Sequence, residues 1–103
     1  MIKHCVFMRF REEVSLAERT AIYQALQAVS PQITGWLNFV AGANSTDEAG
    51  MDKGYNGGFI IDFADDAALA QYQANEDHKK AGAQLVAASE GGLDGIFVFD
   101  LRL

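Results

Sequence analysis

A single cysteine, Cys5, a single proline, Pro31, and a single tryptophan, Trp36, stand in a chain of 103 residues. One cysteine excludes any disulfide within the chain, so the fold must hold by packing alone. No apolar run approaches the roughly 20 residues that a membrane-spanning helix needs. A secretory leader is not expected either, because Lys3, His4, Arg9 and Arg11 interrupt the apolar stretch near the start. The expected setting is cytoplasmic and reducing. Cations are scarce: 8 Lys and Arg stand against 14 Asp and Glu, a net charge of −6 with neutral histidines. They are scattered as well, with no basic stripe interleaved with aromatics, so nucleic acid is not an expected partner. Only two histidines occur, His4 and His78, with no recognised metal-ligand spacing around them. The glycine-rich Gly54-Tyr55-Asn56-Gly57-Gly58 lacks the lysine and following helix of a phosphate-binding loop. No metal and no cofactor are expected.

What is present is apolar and periodic. Half of the residues are hydrophobic, enough for one core, and no linker divides the chain, so a single domain over residues 1–103 is expected. The first ten residues alternate, with Ile2, His4, Val6, Met8 and Phe10 on one face and Lys3, Cys5, Phe7 and Arg9 on the other. Ser15 and Glu18 form a capping box that opens a helix carrying Leu16, Ile22, Leu26 and Val29, and Pro31 stops it. Residues Trp36–Ala43 read as a second strand in strict alternation, Leu37, Phe39 and Ala41 opposite Trp36, Asn38 and Val40. A polar, glycine-rich loop over Asn44–Gly58 precedes a short buried strand, Phe59–Phe63. Asp65 or Asp66 caps a second helix running to Ala74, and a break near Asn75 leads into a third over Asp77–Ser89. That third helix carries Ala81, Leu85 and Ala88 on one face, and Gly91-Gly92 end it. The last strand, Ile96–Leu103, puts Phe97, Phe99, Leu101 and Leu103 together.

Strand, helix, strand, strand, broken helix, strand is the order of an α+β, ferredoxin-like βαββαβ domain. Its four strands form one antiparallel sheet with the helices on one face. The first and last strands are apolar on both sides, so the uncovered face would exceed the few hundred Å² that soluble monomers tolerate. A homodimer joined through that face is the expected solution.

The opening Met1-Ile2-Lys3-His4, the Lys53-Gly54-Tyr55 step and the spacing of Tyr72 and His78 carry a family resemblance. In this order, over essentially the whole chain, they resemble the stress-responsive A/B-barrel (Dabb) domain. The resemblance implies ferredoxin-like chains paired through their sheets into a dimeric α/β-barrel. A plant member, olivetolic acid cyclase, closes a linear tetraketide by aldol chemistry without a cofactor. Its catalytic tyrosine and histidine match Tyr72 and His78 here, in a pocket between helices and sheet. Two positions depart from that pattern: Gly57 stands where the cyclase has another pocket histidine, and Glu76 where a proline is usual.

Chemically, a histidine suits proton abstraction near neutral pH, and a tyrosine hydroxyl can hold a carbonyl oxygen. The alternative is structural, with Tyr72 packed under its helix and His78 serving the next helix's first turn. His4 is expected as a hydrogen-bonded residue of the sheet face, a pocket candidate beside a buried, inert Cys5. Tyr55 is a loop candidate, either closing a pocket or touching a second subunit. Two functions stay open at this point. One is a cofactor-free catalyst, of cyclase or lyase type or, by fold analogy, monooxygenase type, with His78 as base and Tyr72 as partner. The other is a non-catalytic dimer that binds a small apolar ligand in a stress-related role.

Overall fold

The computed structural model describes residues 1–103. In chain order the elements are β1 (Ile2–Met8), α1 (Leu16–Gln27), β2 (Trp36–Ala43), β3 (Gly57–Phe63), α2 (Asp66–Ala74), α3 (Glu76–Ala88) and β4 (Ile96–Arg102). The strands form one sheet in the order β2-β3-β1-β4, with every neighbouring pair antiparallel. This is the ferredoxin-like topology, with β1 and β3 central and the helices on one face.

Alternation along β1 decides which side each residue serves. Ile2, His4, Val6 and Met8 are buried under the helices, and so are Phe59, Ile61 and Phe63 of β3. Ile22, Leu26 and Val29 from the α1 side, Ala68 and Tyr72 from α2, and Ala81, Leu85 and Ala88 from α3 close the core above them. Leu16 does not join them. It is the first residue of α1 and remains exposed.

Caps set the helix starts. The Ser15 hydroxyl accepts from the Glu18 N–H at 3.1 Å, and Asp65, rather than Asp66, accepts from the Ala68 N–H at 2.9 Å. Strict alternation fails in β2. A bulge between Trp36 and Asn38 places Trp36 opposite Phe63 but Asn38 opposite Asp62. Trp36 and Phe39 therefore share the helix-covered side, stacked with ring centroids 6.2 Å apart, while Leu37 is left exposed. The first strand ends at Met8, with Phe10 held by a separate bridge to Ser89.

The loop before β3 is shorter than its glycines suggested, because Gly57 and Gly58 belong to the strand. A Cβ at Gly57 would stand 2.7 Å from the Tyr23 hydroxyl, and one at Gly58 would stand 2.6 Å from the Phe7 ring. Aromatic rings cross the strand at close range on both faces, and only glycine admits them.

Candidate functional site

Tyr72 and His78 meet because the helix breaks between them. On one continuous helix, six positions correspond to a turn of about 240° and a rise of about 9 Å, which would hold the two rings apart. Asn75 ends α2 with an extended ψ of 131° and restarts the chain as the N-cap of α3. Its side-chain oxygen accepts from the His78 N–H at 2.9 Å, and its amide donates to Gln32 at 2.8 Å. The result lays the His78 imidazole against the Tyr72 ring, with centroids 3.9 Å apart and planes tilted by 34°.

β1 brings the second histidine to the same place. The His4 ring lies 5.5 Å from that of Tyr72, edge to face, and 6.1 Å from that of Phe63. His4 stands opposite Asp100 in the β1–β4 register, so both side chains rise from the same sheet face. Nδ1 of His4 is 2.6 Å from an Asp100 carboxylate oxygen. An ionised carboxylate only accepts, so Nδ1 carries the proton and, in the neutral ring, Nε2 keeps its lone pair. Asp100 was not singled out by the sequence reading. A lone carboxylate in the otherwise apolar Ile96–Leu101 run was the available signal.

Burial tunes these groups in opposite senses. It lowers the pKa of His78, with the nearby His4 acting in the same direction, and the carbonyls of Gln73 and Tyr72 offset this in part. Burial also drives the Tyr72 hydroxyl far above its ordinary range, so it stays protonated. At neutral pH the pair is therefore a neutral imidazole beside a phenol that can only donate or accept a hydrogen bond. His78 Nδ1 is the one buried side-chain nitrogen or oxygen without a partner.

Tyr55 lies elsewhere. It is on the loop before β3 and packs edge to face on Phe97 at 6.1 Å, with the Arg9 guanidinium 5.0 Å from its ring centre. There it helps line a groove of about 580 Å³ on the outer sheet face, with Phe7, Val40, Ile60 and Phe97. A second cavity, about 530 Å³, runs between α1 and β2 and reaches Gly57. Neither is lined by His4, Tyr72 or His78; the second lies between a helix and the sheet, beside α1. At Gly57 the Tyr23 hydroxyl occupies the space that a side chain would take. No group of three His, Cys, Asp or Glu side chains is arranged around a common metal position. Cys5 is half-buried, and burial, more than the Asp100 and Asp62 charges, raises its pKa.

The profile of the Stress responsive A/B Barrel Domain matches residues 2–102. The chain belongs to the Dabb family. Among solved structures, this Dabb chain resembles a dimeric ferredoxin-like protein of unknown function from Jannaschia sp. CCS1. The two share 31% identity over 99% of this chain and 98% of the other, with a TM-score of 0.89. A hydroxynitrile lyase from Passiflora edulis shares the fold at 14% identity, covering 99% of this chain and 92% of its own, with a TM-score of 0.82. An antibiotic biosynthesis monooxygenase does so at 17% identity, covering 100% and 98%, with a TM-score of 0.76. No curated protein matches the Dabb chain in sequence.

Proposed function

We propose that this Dabb protein is a homodimer whose chains each bind a small apolar carbonyl compound and move a proton on it without a cofactor. His78 is the base and Tyr72 its partner. A proton leaves the carbon next to the carbonyl for the His78 imidazole, and the electron pair moves onto the carbonyl oxygen as an enolate. The Tyr72 hydroxyl donates a hydrogen bond to that oxygen. The enolate carbon then takes back a proton or attacks a second carbonyl of the same molecule, which forms a ring. His4, oriented by Asp100, is placed to exchange protons with the surroundings. The observation that carries this reading is the unpartnered Nδ1 of His78 against a permanently protonated tyrosine. The family resemblance and a lyase on the same fold support it by analogy.

The dimer part of the proposal rests on the outer sheet face. Phe7, Val40, Phe97, Phe99 and Leu101 are all exposed there, and Phe97 and Phe99 stack in parallel at 6.4 Å. Relatives of this fold are described as dimeric, which supports the same arrangement here.

A second reading, a ligand-binding dimer without turnover, is favoured by one observation: the two cavities described above lie away from the Tyr72–His78 pair. Deuterium exchange separates the two. 1,3-Diketones and β-ketoesters in D₂O should lose their α-protons faster with the protein than in buffer, followed by NMR. His78→Ala should slow the exchange about 10²–10⁴-fold, the usual effect of losing a general base. Tyr72→Phe should cost less, because its ring packing survives. Exchange at the buffer rate across the whole series, with wild-type protein, sinks the catalytic reading and leaves ligand binding.

A further inference from the structure

The cleft between α1 and β2 carries features that the acid–base site does not use. Arg19 is half-buried at its rim, with its guanidinium over the Phe10 ring at 4.9 Å. Its Nε donates to the Val14 carbonyl at 3.0 Å, and one terminal nitrogen reaches the Arg11 carbonyl at 3.4 Å. These two contacts fix the plane of the guanidinium without neutralising it. The chain has 14 Asp and Glu side chains, yet none pairs with Arg19; the ion pairs take Lys3, His4, Arg9, Lys79 and Arg102. A partly desolvated, oriented cation is thus left free in an acidic protein.

Tyr23 adds a donor to the same space. Its hydroxyl lies 3.5 Å from the Gly42 carbonyl and 3.7 Å from the Met8 sulfur. Burial raises its pKa, and the Gly58 backbone, followed by the Arg19 charge, acts in the opposite sense. The cavity is about 530 Å³, and Phe10 and Phe39 supply aromatic walls. Asn56 braces one wall, since its side chain bonds both the N–H and the carbonyl of Phe10, at 2.8 and 3.1 Å. Its aromatic walls, Phe10 and Phe39, are on the helix-covered side of the sheet, opposite the face proposed for the dimer.

We infer that this cleft is a binding site for a small aromatic or aliphatic monocarboxylic acid. The carboxylate lies against the free edge of the Arg19 guanidinium and accepts from the Tyr23 hydroxyl, while the apolar body lies between Phe10 and Phe39. Planar guanidinium and carboxylate match in shape as well as charge, and the apolar walls account for the rest of the ligand. The site is separate from Tyr72 and His78, and its occupation does not depend on catalysis there.

Phenylacetate and its uncharged analogue phenylacetamide test the inference in a ¹⁵N NMR titration that includes the arginine side-chain Nε signals. Phenylacetate should shift the signals of Arg19, Tyr23 and Phe39 saturably, and should bind about tenfold more tightly than the amide, the lower end for a hydrogen bond to a charged group. Arg19→Gln should abolish that preference while leaving the weak binding of phenylacetamide in place. Tyr23→Phe, which keeps the ring, should weaken phenylacetate about threefold to tenfold, as for one lost hydrogen bond, and covers the case in which Arg19→Gln fails to fold. Equal affinity for acid and amide overturns the inference. So does an undiminished preference in a folded Arg19→Gln protein, or shifts confined to other regions of the chain.

Discussion

His78 is where burial has a direct thermodynamic consequence. Its pKa is lowered in the folded protein, chiefly by desolvation and secondarily by His4, whereas in the unfolded chain it returns to about 6.5. Below that value the unfolded chain binds the proton more readily than the folded one, so this contribution to stability is complete above about pH 6.5 and lost as the pH falls toward the folded pKa. Part of the fall in thermal stability between about pH 7 and 5 should therefore belong to this residue. His78→Gln should show a shallower fall over that window, measured by melting curves at matched ionic strength. Equal slopes for the two proteins would mean that the imidazole is solvated as in a free peptide. The shift toward the neutral form also keeps the ring in the state a base requires.

At the scale of elements, Asn75 joins three segments: it ends α2, caps α3 and holds Gln32 of the turn before β2. Asn75→Ala should lower stability by about 1 kcal/mol, the usual cost of an N-cap, in urea denaturation at neutral pH. Asn75→Asp should recover most of it, because a carboxylate still accepts from the His78 N–H and suits the positive end of the helix. The same Ala variant should loosen the Tyr72–His78 stack, seen as a change in the His78 ring chemical shifts that Asn75→Asp does not reproduce. The bulge in β2 acts at this scale too. It turns Trp36 onto Phe63 and Tyr72, with centroids 5.6 Å from each, and so builds the aromatic wall behind the site.

At the scale of the whole molecule, the outer sheet face is the one that no helix covers. It is apolar from Phe7 across to Leu101, and one ion pair, Lys3 with Asp62 at 2.9 Å, interrupts it. Such a pair, already formed within one chain, can enter an interface without leaving either charge unmatched. Of the first strand's neighbours Val6 and Phe7, only Phe7 points outward; Val6 is in the core. Phe7→Asp should therefore convert a dimer to monomer in light scattering at micromolar concentration, since an unpaired buried charge costs several kcal/mol, or upwards of a hundredfold in affinity. A wild-type protein that scatters as an 11.2 kDa monomer would remove the dimer from the proposal. Lys53→Ala, on the loop at the edge of this face, should leave the assembly unchanged.

The element order, the antiparallel sheet with its helices on one side, and the two-faced apolarity of β1 and β4 were all legible in the sequence. Alternation and capping are local patterns, and each strand or helix declares its own period through its side chains. Tyr72 and His78 were legible as types at a suggestive spacing, and the break near Asn75 was visible as well. Their contact was not, because it depends on a backbone angle at Asn75 that the residue permits but does not compel. Asp100 came to His4 only through strand register, a pairing of residues 96 positions apart. The bulge at Trp36, the exposure of Leu16 and the entry of Gly57 into β3 were likewise tertiary outcomes. The first and last of these were decided by what lay across from them: Phe63 opposite Trp36, and the rings of Tyr23 and Phe10 over Gly57.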